Sequence, residues 1–142
     1  MLTPDVGMPR VLLVEDAPFL RYVFGRLLRL QGFDVREAND GQDALNCLAE
    51  FRPQLVLTDL MMPVMGGIEL IQRLRDSPGM DGIPVVAITA DATVQAEEQA
   101  RKAGAVDFIT KPVDLPELLD RLRGLLPSCQ PVPPLTAATG LA

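Results

Sequence analysis

Five side chains in this 142-residue chain are of types that could work together on a metal ion or a phosphate: Glu15, Asp16, Asp59, Thr89 and Lys111. Each closes or directly follows a short apolar run in VLLVED, LVLTD, VVAIT or DFITK. Two like charges about 5 Å apart at an effective dielectric near 20 repel by roughly 3 kcal/mol. Three carboxylates gathered on one edge would cost on the order of 10 kcal/mol if all stayed ionised. Such a cluster must protonate a member or bind a cation. A few hard oxygen ligands suit Mg²⁺, which keeps several waters and often bridges to phosphate. An ammonium and a hydroxyl on the same edge can hold a phosphoryl group. A carboxylate can also accept a phosphoryl covalently. Asp59, between the acid pair and the Thr89–Lys111 side, is the best candidate. The plainer alternative is solvated carboxylates at separate strand ends, a surface lysine and a β-branched strand residue. Shared location decides between the two.

The elements that must supply that location are legible as alternating patterns. Short apolar runs occur at Val11–Val14, Asp34–Ala38, Leu55–Thr58, Val85–Thr89 and Val106–Ile109. Between them lie stretches with helical spacing. Leu20, Val23, Phe24, Leu27 and Leu28 mark the first, stopped by Gly32. Ala44, Leu45, Leu48 and Phe51 mark the second, after the capping and turn residues Asn39, Asp40 and Gly41. Ile68, Ile71 and Leu74 mark the third, and the less apolar fourth runs from Thr93 to Ala103 before Gly104. The fifth opens with Asp114 and Glu117 at capping-box spacing and continues through Leu115, Leu118, Leu119, Leu122 and Leu125. Gly66 and Gly67 read as turn and helix-entry residues rather than phosphate binders. Five strand–helix units imply an α/β domain, a doubly wound (βα)5 open parallel sheet with helices on both faces. Ligands of such sheets sit beyond the carboxyl ends of the strands, where the five side chains stand. The expected boundaries are a lead-in over 1–9, one domain over 10–126 and a tail with four prolines over 127–142.

Composition narrows the chemistry. The chain has no histidine, which excludes Ser-His-Asp and Cys-His nucleophiles, imidazole zinc sites and an internal phosphohistidine. A phosphoryl-accepting carboxylate here must therefore take its phosphoryl group from another molecule. Lys and Arg total 13 against 19 Asp and Glu, a net charge of −6 with no basic cluster, which argues against direct nucleic-acid binding. No uninterrupted apolar run exceeds four residues, too short for a membrane span or signal-peptide core, so the expected location is cytoplasmic. Cys47 and Cys129 lack CxxC spacing and read as an interior thiol and a tail thiol in a reducing compartment.

The segments VLLVED, LVLTDLMMPVMGG, VVAITA and DFITKP, in this order and at these separations, resemble the receiver domains of two-component response regulators. The single-domain chemotaxis regulators are related members. The resemblance spans about Arg10 to Leu126 and implies a flavodoxin-like sheet of order 2-1-3-4-5. It implies that Asp59 accepts a phosphoryl group from a sensor histidine kinase or phosphotransfer protein. Asp16 and Asp59 would coordinate Mg²⁺, Glu15 would act mostly through water, and Met61 would offer its backbone carbonyl. Thr89 would move toward the phosphoryl group, with Ala90 leaving room and lending an N–H. Lys111 would bridge to the phosphoryl, oriented by a cis peptide before Pro112. Phe108 would be the switching aromatic where chemotaxis members commonly carry tyrosine. Met61 and Asp91 would flank the path of a hydrolytic water. The resemblance implies autocatalysed phosphorylation and dephosphorylation rather than conventional enzyme turnover. It further implies an unidentified downstream protein target and a phosphorylation-dependent homodimer, with no membrane partner. A non-switching docking module with the same fold is the competing reading.

Overall fold

The computed structural model describes residues 8–126; the Pro-rich tail over 127–142 and residues 1–7 of the lead-in lie outside them. Among the described residues ten elements alternate: β1 (Arg10–Val14), α1 (Pro18–Leu30), β2 (Asp34–Ala38), α2 (Gly41–Cys47), β3 (Leu55–Asp59), α3 (Gly67–Arg75), β4 (Val85–Thr89), α4 (Val94–Ala103), β5 (Asp107–Thr110) and α5 (Leu115–Leu125). The strands form one parallel sheet of order β2-β1-β3-β4-β5. The strand order reverses between β1 and β3, so a crevice opens beyond their carboxyl ends.

Both faces of the sheet are covered, which is why its central strands are apolar without alternation. Leu12, Val14, Val56, Val85 and Ala87 face α2, α3 and α4, where Ala44, Leu70, Ile71, Leu74 and Ala100 meet them. Val11, Leu13, Leu55, Leu57, Val86 and Ile88 face α1 and α5, against Leu28, Leu118 and Leu122.

The helix ends follow local chemistry, with one departure from expectation. Pro18 sits in the first turn of α1, where a missing N–H costs nothing, and Gly32 adopts a φ of 97° just after the helix. Asp40 caps α2 by accepting from the Asp43 N–H at 2.8 Å. Gly104 ends α4 with a φ of 131°, and Arg75 reaches from α3 to donate to the Lys102 and Ala103 carbonyls there. The capping box expected at Asp114 and Glu117 does not form. Asp114 makes no side-chain cap bond, and Glu117 pairs instead with Arg121 one turn along, at 2.7 Å. A cationic neighbour at i+4 competes for the carboxylate that would otherwise reach back. Strand β5 starts at Asp107 rather than Val106, and helix α2 ends before Phe51, which is nonetheless buried in the core. Pairing also begins slightly before Arg10: Pro9 is buried and its carbonyl accepts from Asp34 N–H.

Gly67 makes the tightest approach in the β3–α3 connection. Its N–H donates to the Leu60 carbonyl at 3.1 Å. A Cβ there would collide with the Asp59 carbonyl and lie 2.9 Å from Leu60 Cα, both backbone atoms. Gly67→Ala is therefore expected to destabilise the domain by about 1–3 kcal/mol, despite the better helix propensity of alanine. Urea unfolding measures it; an unchanged midpoint would show that the connection relaxes freely.

The half-buried Cys47 tests the interior-thiol reading. Burial, reinforced by the Asp43 charge, pushes its pKa above the ordinary value, so less thiolate is present at a given pH. Iodoacetamide labelling of the Cys47 peptide should be slow at neutral pH and still rising at alkaline pH. A rate that levels off below pH about 8, under the ordinary thiol pKa, would contradict this.

Candidate functional site

Two neighbouring strands bring the acids together. Glu15 and Asp16 follow β1, whose neighbour β3 ends in Asp59. One carboxylate oxygen from each of Glu15, Asp16 and Asp59 lies within 4.8 Å of the others. Glu15 and Asp59 are 3% and 6% exposed, so solvent relieves little of their repulsion.

Lys111 follows β5 and reaches back across the strand ends. Its Nζ donates to Asp59 Oδ2 at 2.8 Å and to Glu15 Oε1 at 3.0 Å. The peptide between Lys111 and Pro112 is cis. Asp59 Oδ1 accepts from the Met61 N–H at 3.0 Å, so both oxygens of this carboxylate have fixed partners. Glu15 Oε2 accepts from the Ala17 N–H at 3.2 Å.

Charge bookkeeping at the site is incomplete with protein groups alone. Three carboxylates face one ammonium, leaving a formal −2. Burial pushes the Glu15 carboxyl above its usual range, and its hydrogen bonds from Lys111 and Ala17 do not cancel that. For Lys111 burial pulls the other way, but the hydrogen bonds and charges of Asp59 and Glu15 prevail and raise its pKa. A hard-oxygen donor set with an uncompensated double negative charge fits Mg²⁺.

Thr89, the last residue of β4, is fully buried, and its Oγ accepts from the Asp91 N–H at 3.1 Å. Ala90 beside it is exposed, as are Asp91 and Pro112. Asp91 accepts from the Thr93 N–H, which holds its carboxyl below the usual range. Phe108 sits opposite Ala87 in the β4–β5 register, half-buried against the core shared by α2, α3 and α4. Thr89 is two residues beyond Ala87, so Thr89 and Phe108 belong to one face of the sheet. Phe108 also lines a cleft between α4 and α5 with Glu97, Thr110, Pro112 and Arg121. Met61 is 67% exposed, and Val64, three residues on, is a β-branched residue at a φ of 67°.

The structure thus gathers Glu15, Asp16, Asp59 and Lys111 into one cluster and puts Thr89 at the adjoining strand end. Sequence reasoning missed the bond from the Met61 N–H to Asp59. It also missed Arg21, whose guanidinium donates to the Glu15 carbonyl at 2.8 Å. A signal for the latter was present: Gly25 is a costly residue for mid-helix, placed one turn from Arg21 and one from Arg29.

Comparison with known proteins agrees with this geometry. A family model described as the response regulator receiver domain matches residues 11–123. RpaA of Synechocystis sp., described as a DNA-binding dual master transcriptional regulator, is 36% identical over 126 residues, covering 89% of this chain and 52% of that protein. The chain spans about half the length of the curated relatives it matches. The solved structure of the chemotaxis protein CheY4 of Vibrio cholerae superposes with a TM-score of 0.79 at 27% identity, covering 84% of this chain and 99% of that one. The receiver domain of the sensor histidine kinase PA1611 of Pseudomonas aeruginosa superposes with a TM-score of 0.79 at 29% identity, over 85% of this chain and 99% of that one. That structure is described with a magnesium ion coordinated in the active-site cleft.

Proposed function

The chain belongs to the response regulator receiver family, and from that membership we propose that Asp59 accepts a phosphoryl group from the phosphohistidine of a sensor kinase or phosphotransfer protein. A receiver is a phosphoryl acceptor in a two-component system rather than a conventional enzyme. The observation that carries the residue assignment is the cluster itself: three carboxylates within 4.8 Å, two of them tied to one lysine.

In the transfer, a carboxylate oxygen of Asp59 attacks phosphorus. The phosphorus–nitrogen bond of the donor breaks, and the imidazole nitrogen leaves with the electron pair. The product is a mixed anhydride on Asp59, about one charge more negative than the carboxylate it replaces. Mg²⁺ held by Asp16, Asp59 and the Met61 carbonyl, with Glu15 acting through water, would neutralise that charge. Lys111 is free to follow its partner oxygen to the phosphoryl group. The Thr89 hydroxyl supplies a further hydrogen bond once it turns from Asp91, and Ala90 contributes its N–H. Phe108, on the same sheet face, fills the space Thr89 leaves, which changes the surface of α4, β5 and α5. A downstream protein or a second copy of the chain reads that surface.

Incubation with acetyl phosphate and Mg²⁺ tests the assignment. One acid-labile phosphoryl per chain is expected, located by peptide mapping on Asp59 and absent in EDTA. A phosphoryl mapped to another residue, or equal uptake in EDTA, would overturn it. The docking-module alternative predicts neither uptake nor Mg²⁺ binding by titration.

A further inference from the structure

Glu15 is held at more points than its carboxylate needs. Besides the contacts of its side chain, its N–H donates to the Ala38 carbonyl at 3.0 Å and its own carbonyl accepts from Arg21 Nη1 at 2.8 Å. That carbonyl belongs to the peptide joining Glu15 to Asp16. A peptide is planar, so fixing its oxygen fixes the direction in which the Asp16 Cα leaves. Arg21 lies on α1, and its guanidinium is half-buried, with the side chain 22% exposed.

A second carboxylate holds Arg21 in place. Glu37 on β2 lies across α1 with Oε1 3.7 Å from Arg21 Nε and Oε2 2.8 Å from Arg29 Nη1. The space it occupies exists because Gly25 has no side chain: a Cβ there would lie 2.5 Å from Glu37 Oε2 and 3.3 Å from Arg29 Nη1. Arg21, Gly25 and Arg29 are spaced four residues apart, so they form one stripe on the helix. The glycine costs roughly 1 kcal/mol of helix propensity relative to alanine. Packing alone would be better served by alanine, yet the notch admits a carboxylate that bridges two arginines.

From this juxtaposition we propose that Arg21 is a positioning residue for the divalent-cation site, orienting the peptide between the two acids, and that Glu37, seated in the Gly25 notch, holds Arg21 in register. The inference rests on the proposed function, because it concerns the affinity of that site for Mg²⁺. Outer-shell groups that orient metal ligands typically contribute about 10–100-fold in affinity.

The test is calorimetric titration of the full chain with Mg²⁺, alongside thermal melts in EDTA. Arg21→Ala should weaken Mg²⁺ binding by at least about tenfold in protein that is folded by circular dichroism. Arg21→Lys, which keeps a cationic donor for the Glu15 carbonyl, should recover most of the loss. Glu37→Gln, which keeps the shape and removes the charge, should weaken binding by a smaller factor and provides the readout if Arg21→Ala fails to fold. A lower melting temperature with unchanged Mg²⁺ affinity in these variants would overturn the inference and leave the proposed function standing. No Mg²⁺ binding by the unmodified chain would overturn both.

Discussion

Asp59→Asn is expected to abolish phosphoryl uptake, with a loss on the order of 10⁴-fold or more, the scale seen when a covalent nucleophile is removed. The reason is specific to the atoms involved. The amide oxygen of asparagine is a poor nucleophile, and the nitrogen that takes the other position offers donors where a carboxylate accepts. Both Asp59 oxygens have partners that donate, Lys111 Nζ and the Met61 N–H, so the amide nitrogen meets a donor whichever way it turns. The substitution also removes one of three negative charges, which should weaken Mg²⁺ binding as well. Two measurements separate these effects: phosphoryl incorporation by intact mass with acetyl phosphate, and the same reaction at raised Mg²⁺ concentration. Saturating Mg²⁺ restores uptake only if Asp59 serves as a ligand and some other residue accepts the phosphoryl. Restoration would therefore reassign the acceptor, with Glu15 and Asp16 the carboxylates to examine first.

How far the sequence led can be judged residue by residue. The strands were legible because a parallel sheet covered on both faces needs continuous apolar runs, and VLLV, LVLT and VVAI have them. The shared location of Glu15, Asp16, Asp59, Thr89 and Lys111 followed from topology alone, since each closes or follows a strand at the same edge. Contacts between side chains were less legible. Spacing alone could not tell that Glu117 would turn to Arg121 and leave Asp114 without a capping bond, while Asp40 and Asp43 would form one. The Arg21–Glu37 pairing depends on which face of β2 meets α1. Val35 is buried on the α1 side and Glu37 is two residues on, so the alternation of the strand sends both the same way. An edge strand with Asp34, Arg36 and Glu37 has too little apolar signal to fix that face from composition. The Met61 N–H bond to Asp59 was invisible for another reason: a backbone donor is the same for every residue type except proline.

Lys111→Met should have the second large effect, and its pH dependence identifies the cause. Lys111 compensates two carboxylates that are almost fully buried, 4% and 7% exposed at their side chains. Removing one partner from a buried ionic cluster leaves uncompensated charge and typically costs about 3–5 kcal/mol. Lys111 keeps 20% of its side chain exposed, so the lower end applies, about 3 kcal/mol in EDTA at neutral pH. Methionine fills a similar volume, so the loss is electrostatic rather than a cavity. The sign with pH follows from Glu15. Its folded pKa is already raised, so its protonated form is favoured on folding, and its contribution to stability falls as pH rises through that value. Without Lys111 one of the influences that lower this pKa is gone, and the upward shift grows. Acidification then protonates the cluster and relieves the repulsion. The gap between Lys111→Met and the unmodified chain should therefore narrow as pH falls toward the carboxylate range. Mg²⁺ should narrow it too, because it binds the folded state and is held more tightly where the competing ammonium is gone. Phosphoryl uptake should not recover in the same way. Methionine cannot donate to the phosphoryl oxygens, and losing one such donor typically costs about 10²–10³-fold in rate. Urea midpoints at two pH values, with and without Mg²⁺, together with uptake rates at saturating Mg²⁺, measure both effects. Equal destabilisation at both pH values would assign Lys111 a packing role and remove it from the charge balance of the site.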